Sequence, residues 1–259
     1  VAVIDIVLDI DSYPTEDSKH RAQSRQNRVG GNVSNTLAVL KQLNHHCSWS
    51  GTLANDSASQ ILKNHFQEQA IDCQLAQNID NASTPTSFIL RNATNGSRTV
   101  VHYRDCCELD AEFFLHNIDI DQYDWLHFEG RNCNQTLEII SSIKKRRPEL
   151  PISIEFEKKR EDDETQLFEF AEPLIFSRQY VQERRSALNP IQFLEKMLDN
   201  SSRHGIIIAP LSTYFKDEVI RNRILAKHTL KYVVNMPSEL FQPNASTHTA
   251  IAVFETNRS

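Results

Sequence analysis

The stretch "RVGGNVSNTLAVLKQL", Arg28–Leu43, places two adjacent glycines between a polar run and an apolar-periodic segment. The chain holds only 6 glycines in 259 residues, so a pair in one turn marks a point where the backbone must bend or come close to another group. Behind the pair, Val33, Leu37, Leu40 and Leu43 recur at helical spacing. Asn32 and Asn35 fall in the first turn of that helix, on one face. Carboxamides there offer donors and acceptors together, which suits the hydroxyls of a sugar.

Working outward, "VAVIDIVLDI" (1–10) is β-branched and apolar and reads as a strand, with Asp5 a lone carboxylate inside it. "DSYPTEDS" is turn-rich, and "HRAQSRQNRV" is polar and extended or irregular. "SASQILKNHFQEQA" reads as an amphipathic helix with Ile61, Leu62 and Phe66 on one face. "TSFILRN" and "SRTVVHYR" read as a hairpin turned at Asn95-Gly96, with both turn residues expected at positive φ. "DWLHFEGRN" is a strand ending at Gly130, "NQTLEIISSIKKRR" a helix, and "PISIEFE" and "LIFS" further strands. "NPIQFLEKMLDN" reads as a helix, "GIIIAP" as a strand and "KYVVN" as the last strand. Short apolar strands alternating with amphipathic helices predict an α/β fold, a mostly parallel sheet with helices on both faces.

Composition narrows the classes. A net charge of −6 argues against a bulk nucleic-acid or anionic-membrane binder. The basic run Lys144–Arg147 reads as the solvated end of a helix. No window is apolar enough to span a bilayer. Cys47, Cys73, Cys106, Cys107 and Cys133 are odd in number and form no C-x-x-C pair. They fit free thiols in a reducing, cytoplasmic compartment, with no zinc site. The histidines, His45-His46 included, show no metal-ligand spacing. The chain opens at Val1 without methionine, so the native start, and any targeting segment, is expected upstream.

On spacing alone, the Asp5 and Gly30–Asn35 pattern serves equally as a tight turn, an N-cap and a strand-end aspartate. A resemblance adds to it. "VIDIVLDIDSYPTEDS", "RVGGNVSNT", "NGSRTVV", "WLHFEGRN" and "IEFEKKRE" are similar to stretches of the ketohexokinases (fructokinases), within the ribokinase/PfkB sugar kinases, in the same order from Val1 to about Phe176. The resemblance implies one ribokinase-like three-layer α/β/α sandwich domain over 1–259. It also implies a small β-sheet lid formed by about 6–29 and 86–104, and a homodimer through that lid or membership of a larger assembly. Asp5 resembles the sugar-hydroxyl acceptor at the end of the first strand. Gly31, Asn32 and Asn35 resemble ketose-binding elements. Asp17 resembles the lid aspartate offered to a partner subunit's sugar, and Arg98 the basic residue facing the transferred phosphoryl group.

The family's Gly-Ala-Gly-Asp motif, an anion hole at a helix N-terminus followed by the catalytic base, has no counterpart here. At its position, held in register by Val233-Val234 and Asn244-Ala245-Ser246, stand Ser238, Glu239 and Leu240, with Phe241 in place of the aspartate. The last glycine is Gly205. A carboxylate about 4 Å from a phosphate charge is repelled by roughly 4 kcal/mol at an effective dielectric near 20. Loss of a positioned base costs on the order of 10²–10⁴ in rate. The expectation is therefore a ketohexokinase-like protein that binds a ketose without transferring phosphoryl groups. It takes no cofactor and no metal, and its C-terminal nucleotide-binding part is degraded or truncated. An active kinase using Mg-ATP, with Glu239, Asp217 or Glu218 as a displaced base, and a purely structural partner are the alternatives.

Overall fold

In the computed structural model, β1 (Val3–Ile10) carries the first apolar run and β2 (Ser24–Gly30) the polar run before the glycines. The structure describes residues 1–160, 163–184, 193, 204–210, 218, 222, 225–226, 228–236 and 249–256. Helix α1 is Asn32–Gln42, β3 Gly51–Ala54, α2 Ser57–Glu68 and β4 Ala76–Ile79. Strands β5 (Thr86–Asn92) and β6 (Arg98–Tyr103) follow, then α3 (Ala111–Asn117), β7 (Leu126–Glu129) and α4 (Cys133–Arg146). The chain divides into two units, Val1–Leu150 and Pro151–Ser259.

The first unit is organised by a four-stranded sheet of order β2-β1-β5-β6. Strand β1 runs antiparallel to β2 and parallel to β5, and β5 is antiparallel to β6. The segments expected to build a lid thus share one sheet. Its register fixes two faces, because side chains alternate along each strand. Ala2, Ile4 and Ile6 point to one of them. There they meet Trp49, Leu62 and Phe66, with Val33, Leu37 and Leu40 of α1 packed against the same cluster. Trp49 stacks on Phe66 at 4.9 Å between ring centroids. The other face carries Asp5 and Asp9.

Helix α2 starts at an N-cap, Asp56, whose side chain accepts from Ser59 N. Ser59, Leu62 and Phe66 are its buried residues; Ile61, expected beside them, is 46% exposed, because one residue step turns it about 100° off that face. Leu43 is likewise exposed, since α1 has ended at Gln42. The β5–β6 connection is a hairpin, but not the predicted two-residue turn. Gly96 alone takes a positive φ, at 71°. Asn92 Oδ1 accepts from Thr94 N and Asn95 N, and Gly96 N donates to Asn92 O at 2.8 Å. Side-chain acceptors thus build a longer loop.

The second unit contains β8 (Ile152–Phe156) parallel to β9 (Leu174–Phe176), then α5 (Arg178–Glu183). Phe156, Phe168, Phe176 and Tyr180 form a ring cluster, and buried Glu164 accepts from Tyr180 Oη at 2.8 Å. A separate sheet holds β10 (His204–Pro210), β11 (His228–Met236) and β12 (Thr249–Thr256), in the order β10-β12-β11. Strand β12 is antiparallel to both neighbours, so the strand at KYVVN is not the last. Antiparallel pairing is as prominent as parallel among the described strands, in contrast with the mostly parallel sheet expected. The helix expected at "NPIQFLEKMLDN" falls outside the described residues apart from Phe193.

Across the first sheet, Arg91 donates to Asp9 at 2.6 and 2.9 Å, and Ser24 Oγ donates at 2.6 Å. The Arg91 hydrogen bond, then that of Ser24, lowers the Asp9 carboxyl from 3.8 to about 2. A group depressed in the folded state stabilises above its unfolded value and loses that contribution as pH falls through the folded one. Asp9→Asn is therefore expected to flatten the acid-induced loss of stability between pH 3.8 and about 2, read as the urea midpoint against pH.

Candidate functional site

Gly30 ends β2 opposite Val3, two register steps from the Asp5–Arg28 pair and so on the same face. A Cβ on Gly30 would lie 2.8 Å from Asp5 Cγ and closer still to Oδ2, so the missing side chain is the space that the carboxylate occupies. Asp5 is half-buried, and among the described residues its carboxylate has no hydrogen-bond or ion-pair partner. It lies inside β1, not at the strand end, because pairing with β2 and β5 carries the strand on to Ile10.

Gly31 follows at φ 107°, and a Cβ there would lie 3.0 Å from the Val1 carbonyl carbon and closer to its oxygen. Both the dihedral and the space require glycine. Gly31 is also the N-cap of α1 and offers no side-chain acceptor, and the first turn contains no acidic residue. An acceptor comes from far along the chain. Glu129, at the end of β7, accepts from Val33 N at 3.4 Å, while Arg131 Nε lies 2.9 Å from its other oxygen. The Val1 amino nitrogen is 3.0 Å from Glu129. Burial would raise this carboxyl; the charge of Arg131 and the hydrogen bond from Val33 N work against it.

The first turn of α1 presents Asn32 half-buried and Asn35 exposed, with Asn35 N bonded to Gly31 O at 3.0 Å. Asp5, Gly30, Gly31 and the asparagine turn therefore form one local cluster. Arg98 opens β6 opposite Arg91, which is opposite Asp9. It shares the face of Asp5, but two strands across and four residues along, about 16 Å by strand geometry. Asp17 is exposed, at φ 53°, in the connection between β1 and β2. Ser238, Glu239, Leu240 and Phe241 lie outside the described residues, as does Asp217; Glu218 is exposed. One contributor is not singled out in the sequence: Glu129 is visible there only as part of "WLHFEGRN".

The fold and this cluster define a ribokinase-like α/β protein. Comparison with known proteins agrees. The pfkB family carbohydrate kinase profile matches residues 1–157, and the N-6 DNA Methylase profile matches residues 110–259. The chain belongs to the pfkB family of carbohydrate kinases over the first of these ranges and to the N-6 DNA Methylase family over the second. It is 31% identical to the ketohexokinase of Mus musculus over 185 residues, 69% of this chain and 61% of that protein. The ribokinase of Giardia lamblia superposes with a TM-score of 0.65 at 14% identity, covering 77% of this chain and 63% of that one. The ribokinase of Arabidopsis thaliana, complexed with ribose and ATP, superposes at 0.54 with 14% identity, covering 70% and 59%.

Gly30→Ala is expected to displace the Asp5 carboxylate and destabilise by about 1–3 kcal/mol. Gly31→Ala adds backbone strain of the same order. Chemical denaturation of the two variants beside Val39→Ala, an exposed α1 control, measures both.

Proposed function

We propose that this chain is a ketohexokinase-like protein that binds a ketose and does not transfer phosphoryl groups. The observation that carries the sugar reading is the Asp5 carboxylate, without a partner among the described residues, held over Gly30 beside the Gly31–Asn32 turn. A carboxylate accepts only, the asparagines donate and accept, and vicinal hydroxyls need both. Asp5, Gly31, Asn32 and Asn35 contact the sugar; Asp17 is offered to a second subunit's site.

Two observations support loss of phosphoryl transfer. The stretch where the phosphate-binding motif belongs falls within the range matched by N-6 DNA Methylase. The chain is also in a strand again at Thr249, eight residues after Phe241, where the resemblance calls for a helix. Ser238, Glu239 and Leu240 then stand in the anion-hole positions and Phe241 in that of the base. An active ketohexokinase using Mg-ATP is the second reading, favoured by Arg98 on the face of Asp5. DNA binding by the second half finds little electrostatic support, with 14 Lys and Arg against 15 Asp and Glu in residues 151–259.

The lid comprises about 6–29 and 86–104, and it dimerises. On the face opposite Asp5, Phe88, Val101 and Tyr103 are 46%, 61% and 56% exposed along adjoining rows of β5 and β6. A second copy of the same face covers them. Five thiols free of disulfides suit a reducing compartment, and among the described residues no helix is long and apolar enough to cross a membrane.

Thermal shift with fructose, ADP and Mg-ATP, singly and paired, tests the main reading. Fructose at 100 times its Kd is expected to stabilise by about 2.7 kcal/mol. The nucleotides are expected to do nothing, and ADP release with fructose and Mg-ATP would establish the active kinase instead. Light scattering tests the dimer, with Val101→Glu expected to halve the particle mass.

A further inference from the structure

The register of the first sheet aligns Arg28, Asp5, Ser87 and His102 in one row across β2, β1, β5 and β6. Directly paired residues in a sheet project to the same face, and strands lie about 4.8 Å apart. Ser87 is therefore one strand from Asp5, and His102 about 10 Å from it on the same surface. Ser87 Oγ and His102 Nδ1 are hydrogen-bonded at 3.1 Å. Ser87 is only 6% exposed, while His102 at the open end of the row is exposed. The next row along the strands is apolar in its middle, with Val7, Ile89 and Val100. Polar groups on this part of the face thus form a band, bounded on that side by hydrocarbon. On the opposite face the same strands carry Ile6, Phe88 and Val101, so the polarity belongs to this row and not to the strands as a whole.

We infer that Ser87 and His102 form the specificity wall of the ketose site, reading the hydroxyls that extend beyond those held by Asp5. The inference rests on the ketose reading and deepens it. A sugar whose first hydroxyls meet Asp5 and the Gly31–Asn32 turn must lay its remaining carbons somewhere over the sheet. In the direction of β5 and β6 it meets a hydroxyl and an imidazole already bonded to each other. That pair is ordered before the ligand arrives, so it presents lone pairs and N–H groups in fixed places. Fixed polar partners discriminate strongly between epimers, because a hydroxyl of the wrong configuration leaves them unpaired. Asp5 anchors, then, and the Ser87–His102 pair selects.

The test is the ratio of dissociation constants for D-fructose and its epimers D-psicose, D-tagatose and L-sorbose, measured by titration calorimetry on the full chain. Ser87→Ala and His102→Leu are each expected to weaken the preferred ketose about fivefold, the worth of one hydrogen bond, and to change its ratio to at least one epimer by a similar factor. A merely structural role would lower all affinities together and leave the ratios alone. Should either deletion fail to fold, Ser87→Thr and His102→Gln carry the same test, since each moves a polar atom without removing it. Wild-type protein that prefers one ketose, with variants whose ratios stay within twofold of it, overturns the inference alone. Wild-type protein that binds no ketose overturns the sugar reading and this inference with it.

Discussion

The first unit depends on a close approach that two glycines permit. Gly30 leaves the volume in which the Asp5 carboxylate lies, and Gly31 passes the Val1 carbonyl at a φ of 107°. Any side chain at either point moves β2 off β1 or turns α1 away from the sheet. The position of Asn32 and Asn35, the direction of α1 and the access to Asp5 all follow from that contact. The glycine N-cap offers the helix no side-chain acceptor, and Glu129 meets the Val33 amide from β7. The turn thus trades local satisfaction for proximity, and a distant strand restores part of what is lost.

The same contact sets the register, and the register sorts chemistry between two faces. Val3 opposite Gly30 puts Asp5 and Asp9 on one side and Ile4 and Ile6 on the other. A one-residue slip would bring the carboxylates into the cluster of Trp49, Leu62 and Phe66 and expose the isoleucines, at a cost far above that of any single hydrogen bond. Arg91 of β5 bridges to Asp9 of the neighbouring β1, so a polar pair pins the far end of the sheet as the glycines pin the near end. Between those pins Asp5 is held by the strands on either side, with no partner of its own among the described residues.

Much of this was legible in the sequence, for physical reasons. A carboxylate alone among β-branched residues and a glycine pair before a helical repeat are local signals, and the cluster they form is local in the fold. Failures came where a second element decides. Ile61 satisfies an apolar repeat, yet α2 turns Ser59 inward beside Leu62 and Phe66. Asn95-Gly96 reads as a two-residue turn, but the Asn92 and Asn95 side chains supply acceptors that close a longer loop. The distance between Arg98 and Asp5 depends on strand order, which no short stretch encodes. Glu129 serves α1 from 96 residues away. Strand β12 is a further case, since Thr249–Thr256 finds its place only between two strands already set apart.

The division of the chain bears on what chemistry remains to it. Phosphoryl transfer depends on holding nucleotide and sugar in line, and a misplacement of about 1 Å costs on the order of a hundredfold in rate. Point decay of a phosphate loop would leave the surrounding kinase elements in order. Here the range matched by N-6 DNA Methylase spans the second unit, and the strand at Thr249–Thr256 lies within it. Sugar recognition makes no such demand. The groups proposed for it, Asp5, Gly31, Asn32 and Asn35, with Ser87 and His102 beyond them, all belong to the first unit, inside the range matched by the carbohydrate kinases. A function confined to one unit makes no demand on the other. Binding without transfer, as proposed above, asks only for the groups of the first unit.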